Sequence, residues 1–124
     1  MSIRDLYGQA SAAHRGGRLA EAEQLYLRIL AADPASFAAQ HMLGVLAAQG
    51  GRLDDALDRI AAALALNPND AGALVNHANV LSLKGRFAEA VTDYDRALAL
   101  RPDADALRGR GHALQGLGHL PQAL

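Results

Sequence analysis

Five histidines, a cluster of aspartates and a pair of adjacent glycines are the residues here with the most evident chemical potential. A helical metal site wants histidines at i, i+4 or in an HExxH setting. His14, His41, His77, His112 and His119 have neither arrangement, so no metal is expected. Asp54, Asp55 and Asp58 in LDDALD could act as acid and base only in a pocket that separates their pKa values. At a helix start they have a simpler use, as negative charge at the positive end of the dipole. Glu21, Glu23 and Glu89 fall in the same part of their own segments. Gly50-Gly51 is followed by no GKS or GKT, as a phosphate loop would require. The sequence has no cysteine, which removes thiol nucleophiles, disulfides and thiolate zinc. No catalytic constellation and no cofactor emerges, so the chain is expected not to be an enzyme by itself.

The elements that position these residues come from a repeat. GGRLAEA at 16–22 returns as GGRLDDA at 50–56, KGRFAEA at 84–90 and, more loosely, LGHLPQA at 117–123. Gly17, Gly51 and Gly85 are 34 apart, and Gly118 follows 33 later. Pro34, Pro68 and Pro102 keep the same step, as do Ala22, Ala56 and Ala90, with Ala123 one early. A fixed period of this length marks a repeat architecture. Leu19, Ala22, Leu25, Tyr26, Ile29 and Leu30 form a helical stripe. The stripe recurs from Leu53 to Leu64 and from Phe87 to Leu98, leaving Asp93, Asp95 and Arg96 to solvent. Each glycine closes one helix, because a left-handed cap costs glycine little. The residues before Pro34, Pro68 and Pro102 close the next, because a residue preceding proline avoids the helical region. The spacing predicts helices at about 2–15, 19–32, 36–49, 53–66, 71–83, 87–100 and 104–116, with an eighth beginning as the sequence stops at Leu124.

These residues resemble the tetratricopeptide repeat. Its small residue midway along the first helix is matched by Ala10, Gly44, Ala78 and Gly111. Its closing glycine and early alanine are those above, and its aromatic column is held by Tyr26, Ile60 and Tyr94. The resemblance implies an all-α, right-handed superhelical solenoid of antiparallel helix pairs. It implies one domain over 1–124, with three full repeats at about 3–36, 37–70 and 71–103 and a truncated fourth at 104–124. Small residues let the two helices of a pair cross closely, and stacking buries what one unit cannot bury alone. The fourth repeat carries Gly109, Gly111, Gly116 and Gly118 and no polar capping helix. It reads as the amino-terminal piece of a longer protein, whose uncapped end could drive self-association.

In such a superhelix the first helices line the concave side. One step round from the buried stripe lie Tyr7, Ser11 and His14; His41, Val45 and Ala48; Val75, Asn79 and Ser82; and Arg108, His112 and Gln115, with Met42, Asn76 and Gly109 beside them. The resemblance implies that an extended or helical peptide binds there. An Asn side chain both donates and accepts, so it can pair with a peptide backbone. ALVNHANVL at 73–81 is similar to repeats of bacterial and eukaryotic O-linked N-acetylglucosamine transferases, which carry a ladder of asparagines. Only Asn76 holds that position here; Met42 and Gly109 hold it in the neighbouring repeats. Tyr7, Ser11, Gly72 and Asn76 stand where the carboxylate clamp of chaperone-tail binders would need mainly Lys, Asn, Lys and Arg, so that reading is rejected.

Composition bounds the partners. The formal net charge is −1 with signs interspersed, unlike the basic stripe that a phosphate backbone needs. No apolar run reaches the ~18 residues of a membrane span, and the start has no secretory signal, so a cytoplasmic location is expected. Lys84 is the only lysine among many arginines, as in GC-rich genomes. Three roles are open: a scaffold binding a protein or peptide segment, the recognition module of a larger enzyme such as a glycosyltransferase, and a homo-oligomeric assembly unit.

Overall fold

The computed structural model describes residues 1–118, which hold seven helices and no strand. They are α1 (Ile3–Arg15), α2 (Leu19–Ala32), α3 (Phe37–Gln49), α4 (Leu53–Leu66), α5 (Ala71–Leu83), α6 (Phe87–Leu100) and α7 (Ala104–Gly118). The expected eighth helix, His119 and Ala123 lie outside the described residues. The chain divides into two compact units, Met1–Asn67 and Pro68–Leu124.

The repeated phrase writes out a helix stop and a helix start. Gly17, Gly51 and Gly85 have φ of 76°, 77° and 76°, the left-handed region where a side chain would be strained. That turn lets the Arg18 N–H reach the Ala13 carbonyl at 2.8 Å and the Gly17 N–H reach the His14 carbonyl at 3.1 Å. The same two bonds recur at Arg52 with Ala47 and at Arg86 with Leu81, the pattern of a Schellman cap. The arginine then pairs with an acid three residues on: Arg18 with Glu21 at 2.8 Å and Arg86 with Glu89 at 2.7 Å. The Arg86 guanidinium holds the Glu89 carboxyl below the usual carboxylate range. First helices start differently. Side chains of Ser2, Ser36, Asp70 and Asp103 accept the N–H of Asp5, Ala39, Ala73 and Ala106, and each such cap contributes ~1 kcal/mol.

The fourth repeat departs from expectation at its end. α7 runs through Gly116 to Gly118, and Gly118 closes nothing in a left-handed turn. Glycine permits that turn without imposing it. Here Gly116 instead receives the Phe87 ring, 2.7 Å from where a Cβ would stand, which keeps α7 against α6.

Within Met1–Asn67 the core is built from Leu6, Ala10 and Ala13 of α1, Ala22, Leu25, Tyr26 and Ile29 of α2, and Ala39, Leu43 and Leu46 of α3. Gly44 of α3 lies so close to α4 that a Cβ there would be 2.4 Å from Ile60 Cγ1. Within Pro68–Leu124, α5 is buried on two sides, through Leu74, Ala78 and Leu81 and through Ala73 and Val80. α6 contributes Ala90, Tyr94 and Ala97.

One expectation for this unit is corrected. Asp93 is not solvated: it is buried, and its Oδ2 lies 2.5 Å from His77 Nδ1 on α5. It survives there because the imidazole gives it a hydrogen bond; an unpaired carboxylate would not. The helix that Gly111 was expected to cross lies outside the described residues.

Candidate ligand-binding hollows

In Met1–Asn67, Tyr7 and Ser11 of α1, Tyr26 of α2 and Met42 of α3 surround a hollow of about 510 Å³. Its ends are tied by hydrogen bonds. The Tyr7 hydroxyl meets the Ser36 hydroxyl, which also caps α3. His14 Nε2 meets Gln49 Oε1 at 3.0 Å. The polar groups of this hollow are thus partly engaged with one another.

The same register builds a second hollow in Pro68–Leu124. Val75, Asn79 and Tyr94 stand 68 residues after Tyr7, Ser11 and Tyr26, and Gly109 stands 67 after Met42. Asn79, Leu83, Phe87, Tyr94 and His112 enclose about 400 Å³, with an apolar floor. An adjoining recess of about 310 Å³ shares Asn79 and His112 and adds Val75, Asn76 and Arg108. Glycine makes the difference between the two hollows. A Cβ at Gly109 would be 2.4 Å from Tyr94 Cζ, so the phenol lies directly on the α7 backbone. From there the Tyr94 hydroxyl donates to Asn79 Oδ1. With its oxygen so held, Asn79 has its two amide N–H donors left for a ligand.

Charge in this hollow is balanced. Arg108 pairs with Asp105 at 2.6 Å on the rim. Burial pushes the Tyr94 phenol above its ordinary pKa, and the nearby Asp93 carboxylate adds to this, while the Ser82 hydroxyl beside it opposes the shift. Ser82 Oγ is itself buried without a hydrogen bond. The floor therefore holds a neutral phenol beside a buried serine hydroxyl.

Of the residues expected to line a groove, Tyr7, Ser11 and Met42 come together in the first hollow, and Val75, Asn76, Asn79, Arg108 and His112 in the second. His41 and Val45 line neither; His41 stacks at a tilt on Phe37, with ring centroids 5.5 Å apart. The expected set lacked Tyr26, Tyr94, Phe87 and Leu83, all of which face a hollow. The signal for the tyrosines was their place in the aromatic column, which reaches both the core and the hollow. A further recess of about 410 Å³ beside α4 contains Glu23, Arg52, Asp55 and Arg59. Its arginines are engaged, Arg52 with Glu23 and Arg59 with Gln40, both at 3.2 Å. Among the described residues no group of three His, Asp or Glu side chains is placed to hold a metal ion. None of the described helices is long and apolar enough to cross a membrane.

A tetratricopeptide-repeat family model matches residues 6–37, 41–105 and 75–124. The chain belongs to the tetratricopeptide repeat family, whose fold is a protein-interaction scaffold. Among curated proteins none matches the sequence. Among solved structures, a variant of the Thermobaculum terrenum O-GlcNAc transferase is 34% identical with a TM-score of 0.85; the match covers 90% of this chain and 22% of that one. The first tetratricopeptide domain of Spaghetti (RPAP3), bound to the HSP90 peptide SRMEEVD, is 21% identical with a TM-score of 0.90 over 94% of this chain and 93% of that one. The MamA protein is 22% identical with a TM-score of 0.87 over 94% and 64%. The chain thus spans about a fifth of the transferase that it resembles.

Proposed function

We infer that this chain binds a peptide or protein segment in the hollows lined by Tyr7, Ser11 and Met42 and by Val75, Asn76, Asn79, Arg108 and His112, with His41 and Val45 on the same register of α3. One observation carries the reading: the same repeat positions surround a hollow in each unit, in one case with free amide donors over an apolar floor. Such a surface suits a segment that offers backbone carbonyls beside an apolar side chain. A peptide-bound domain of the same fold supports it. The clamp positions Tyr7, Ser11, Gly72 and Asn76 lack the cations that would favour an acidic tail. A cysteine-free chain suits a reducing compartment such as the cytoplasm. The test is selection of binders from a displayed random-peptide library, followed by anisotropy titration. Asn79→Ala with His112→Ala is expected to weaken the selected peptides at least tenfold. Unchanged affinity would overturn the assignment of the hollow.

A second reading rests on the 34% identity to a region of an O-GlcNAc transferase. In it the chain recognises substrates for a larger enzyme, such as a glycosyltransferase. The gene sequence around this segment decides it: a coding region with no catalytic domain would remove the reading.

A further inference from the structure

The two hollows share a register, so each can be read against the other. Four of their differences act together. Where the first repeat has Arg15 and Leu19, the third has Leu83 and Phe87, 68 residues on. Where the second repeat has Met42 and Gln49, the fourth has Gly109 and Gly116, 67 residues on. In the first hollow Arg15 brings a charge, Met42 a long side chain, and Gln49 bonds to His14 at 3.0 Å. In the second, the glycines make room for rings. A Cβ at Gly109 would be 2.4 Å from Tyr94 Cζ, and one at Gly116 2.7 Å from Phe87 Cε1, so both rings lie back on the α7 backbone. Tyr94 is held further by its bond to Asn79. Leu83, 69% exposed, stands beside the two rings.

Walls of this kind favour a flat, neutral occupant. Aromatic rings gain from offset or edge-on contact with a further ring, beyond the burial of apolar area. An apolar cavity of about 150 Å³ already takes benzene. The hollow's volume of about 400 Å³ therefore admits a ring and part of the chain that carries it. Among the described residues lining it, none is Asp, Glu, Lys or Arg. A charged side chain would lose its water there without a strong ionic partner. The Asn79 amide, its oxygen already engaged by Tyr94, turns its donors to the backbone carbonyl next to the ring.

We propose that the hollow between α5, α6 and α7 selects an aromatic side chain of the bound segment, and that Leu83, Phe87 and Tyr94 set this preference. The inference rests on the reading of the hollows as the peptide site. The first hollow, with Arg15 and Met42 in the same register, does not share the preference.

The probes are peptides selected from a displayed random library that shift the Asn79 and His112 amides. They are expected to carry a Phe, Tyr or Trp at one fixed place, with intermolecular nuclear Overhauser contacts from that ring to Leu83 and Phe87. Replacing the ring by leucine is expected to weaken binding at least tenfold in anisotropy titrations. Leu83→Arg, at an exposed position, is expected to weaken the ring-bearing peptides at least fivefold with helix content unchanged. Phe87→Leu is expected to shrink the preference for a ring over leucine at least fivefold. Peptides that shift Asn79 and His112 but carry no ring, or that accept leucine for it without loss, overturn the inference and leave the hollow a peptide site. So does a preference that both Leu83→Arg and Phe87→Leu leave unchanged. Selected peptides that all leave Asn79 and His112 unshifted overturn both the inference and the reading beneath it.

Discussion

Gly44→Ala is the sharpest probe of how the helix pairs are built. An ideal Cβ there would stand 2.4 Å from Ile60 Cγ1, 3.2 Å from its Cδ1 and 3.2 Å from its backbone nitrogen. Relaxed carbon contacts lie at about 3.5–4.0 Å, so the nearest atom would have to move by more than ~1 Å. Ile60 has little room to turn away, because a β-branched side chain is stiff at χ1 and its backbone nitrogen does not move with the rotamer. Overpacking of this kind costs ~1–3 kcal/mol. Alanine in place of a helical glycine returns ~0.5–1 kcal/mol, which leaves a net effect between about zero and a loss of ~2.5 kcal/mol. The equivalent positions in repeats one and three are Ala10 and Ala78, and sixteen residues on they have Tyr26 and Tyr94 instead of Ile60. An unbranched Cβ is what an alanine there tolerates. Ile60→Leu keeps the volume and removes the branch, so the double variant is expected to be more stable than the sum of the two single changes, by ~0.5–1 kcal/mol of coupling. Urea unfolding followed by far-ultraviolet circular dichroism reads all four proteins. A stabilising Gly44→Ala, or full additivity in the double variant, would refute the close crossing.

Other changes have equally definite signs. Gly109→Ala drives a methyl into the Tyr94 ring at 2.4 Å, whereas Gly111→Ala meets nothing. Hydrogen exchange of α7 amides, on dilute protein, should therefore quicken in the first and slow in the second, by up to ~1 kcal/mol of added helix stability. Tyr94→Phe removes the donor to Asn79 and is expected to cost ~1 kcal/mol in urea unfolding. The same variant tests pH dependence. The folded Tyr94 phenol ionises above the ordinary value of 10.0. The unfolded chain thus loses that proton first, and stability falls as pH rises from about 10 until the folded phenol ionises. Tyr94→Phe should make that alkaline decline shallower. Asp93→Ala strands the His77 imidazole and should cost ~1–3 kcal/mol. His77→Leu with Asp93→Leu should cost less than Asp93→Ala, since an apolar pair can replace a buried polar one; leucine stands at the first position in repeat two (Leu43) and at the second in repeat one (Leu25).

The helices were legible to within two residues at each end because caps and prolines recur at the repeat step. Ser2, Ser36 and Asp70 recur at the same step and Asp103 follows one residue early, a start signal equally present in the sequence. Asp93 was not legible as buried: a charged residue beside a stripe reads as solvated unless its partner is known, and His77 is sixteen residues away on another helix. The contrast between Gly109 and Gly111 was not legible either, because it depends on which side of α7 has a neighbour. Most hollow-lining residues could be placed from helix phase alone. The hydrogen bond that orients Asn79 could not, since it depends on the Tyr94 ring lying over a glycine.

Recognition at the hollows is what the proposed function requires. An amide chemical-shift map on adding a selected peptide addresses it directly. The largest shifts are expected at Tyr7, Ser11, Asn79 and His112 and along the first-helix faces around them. Shifts concentrated instead on Gln24, Arg28 and Asp95, exposed residues of second helices that line neither hollow, would contradict it.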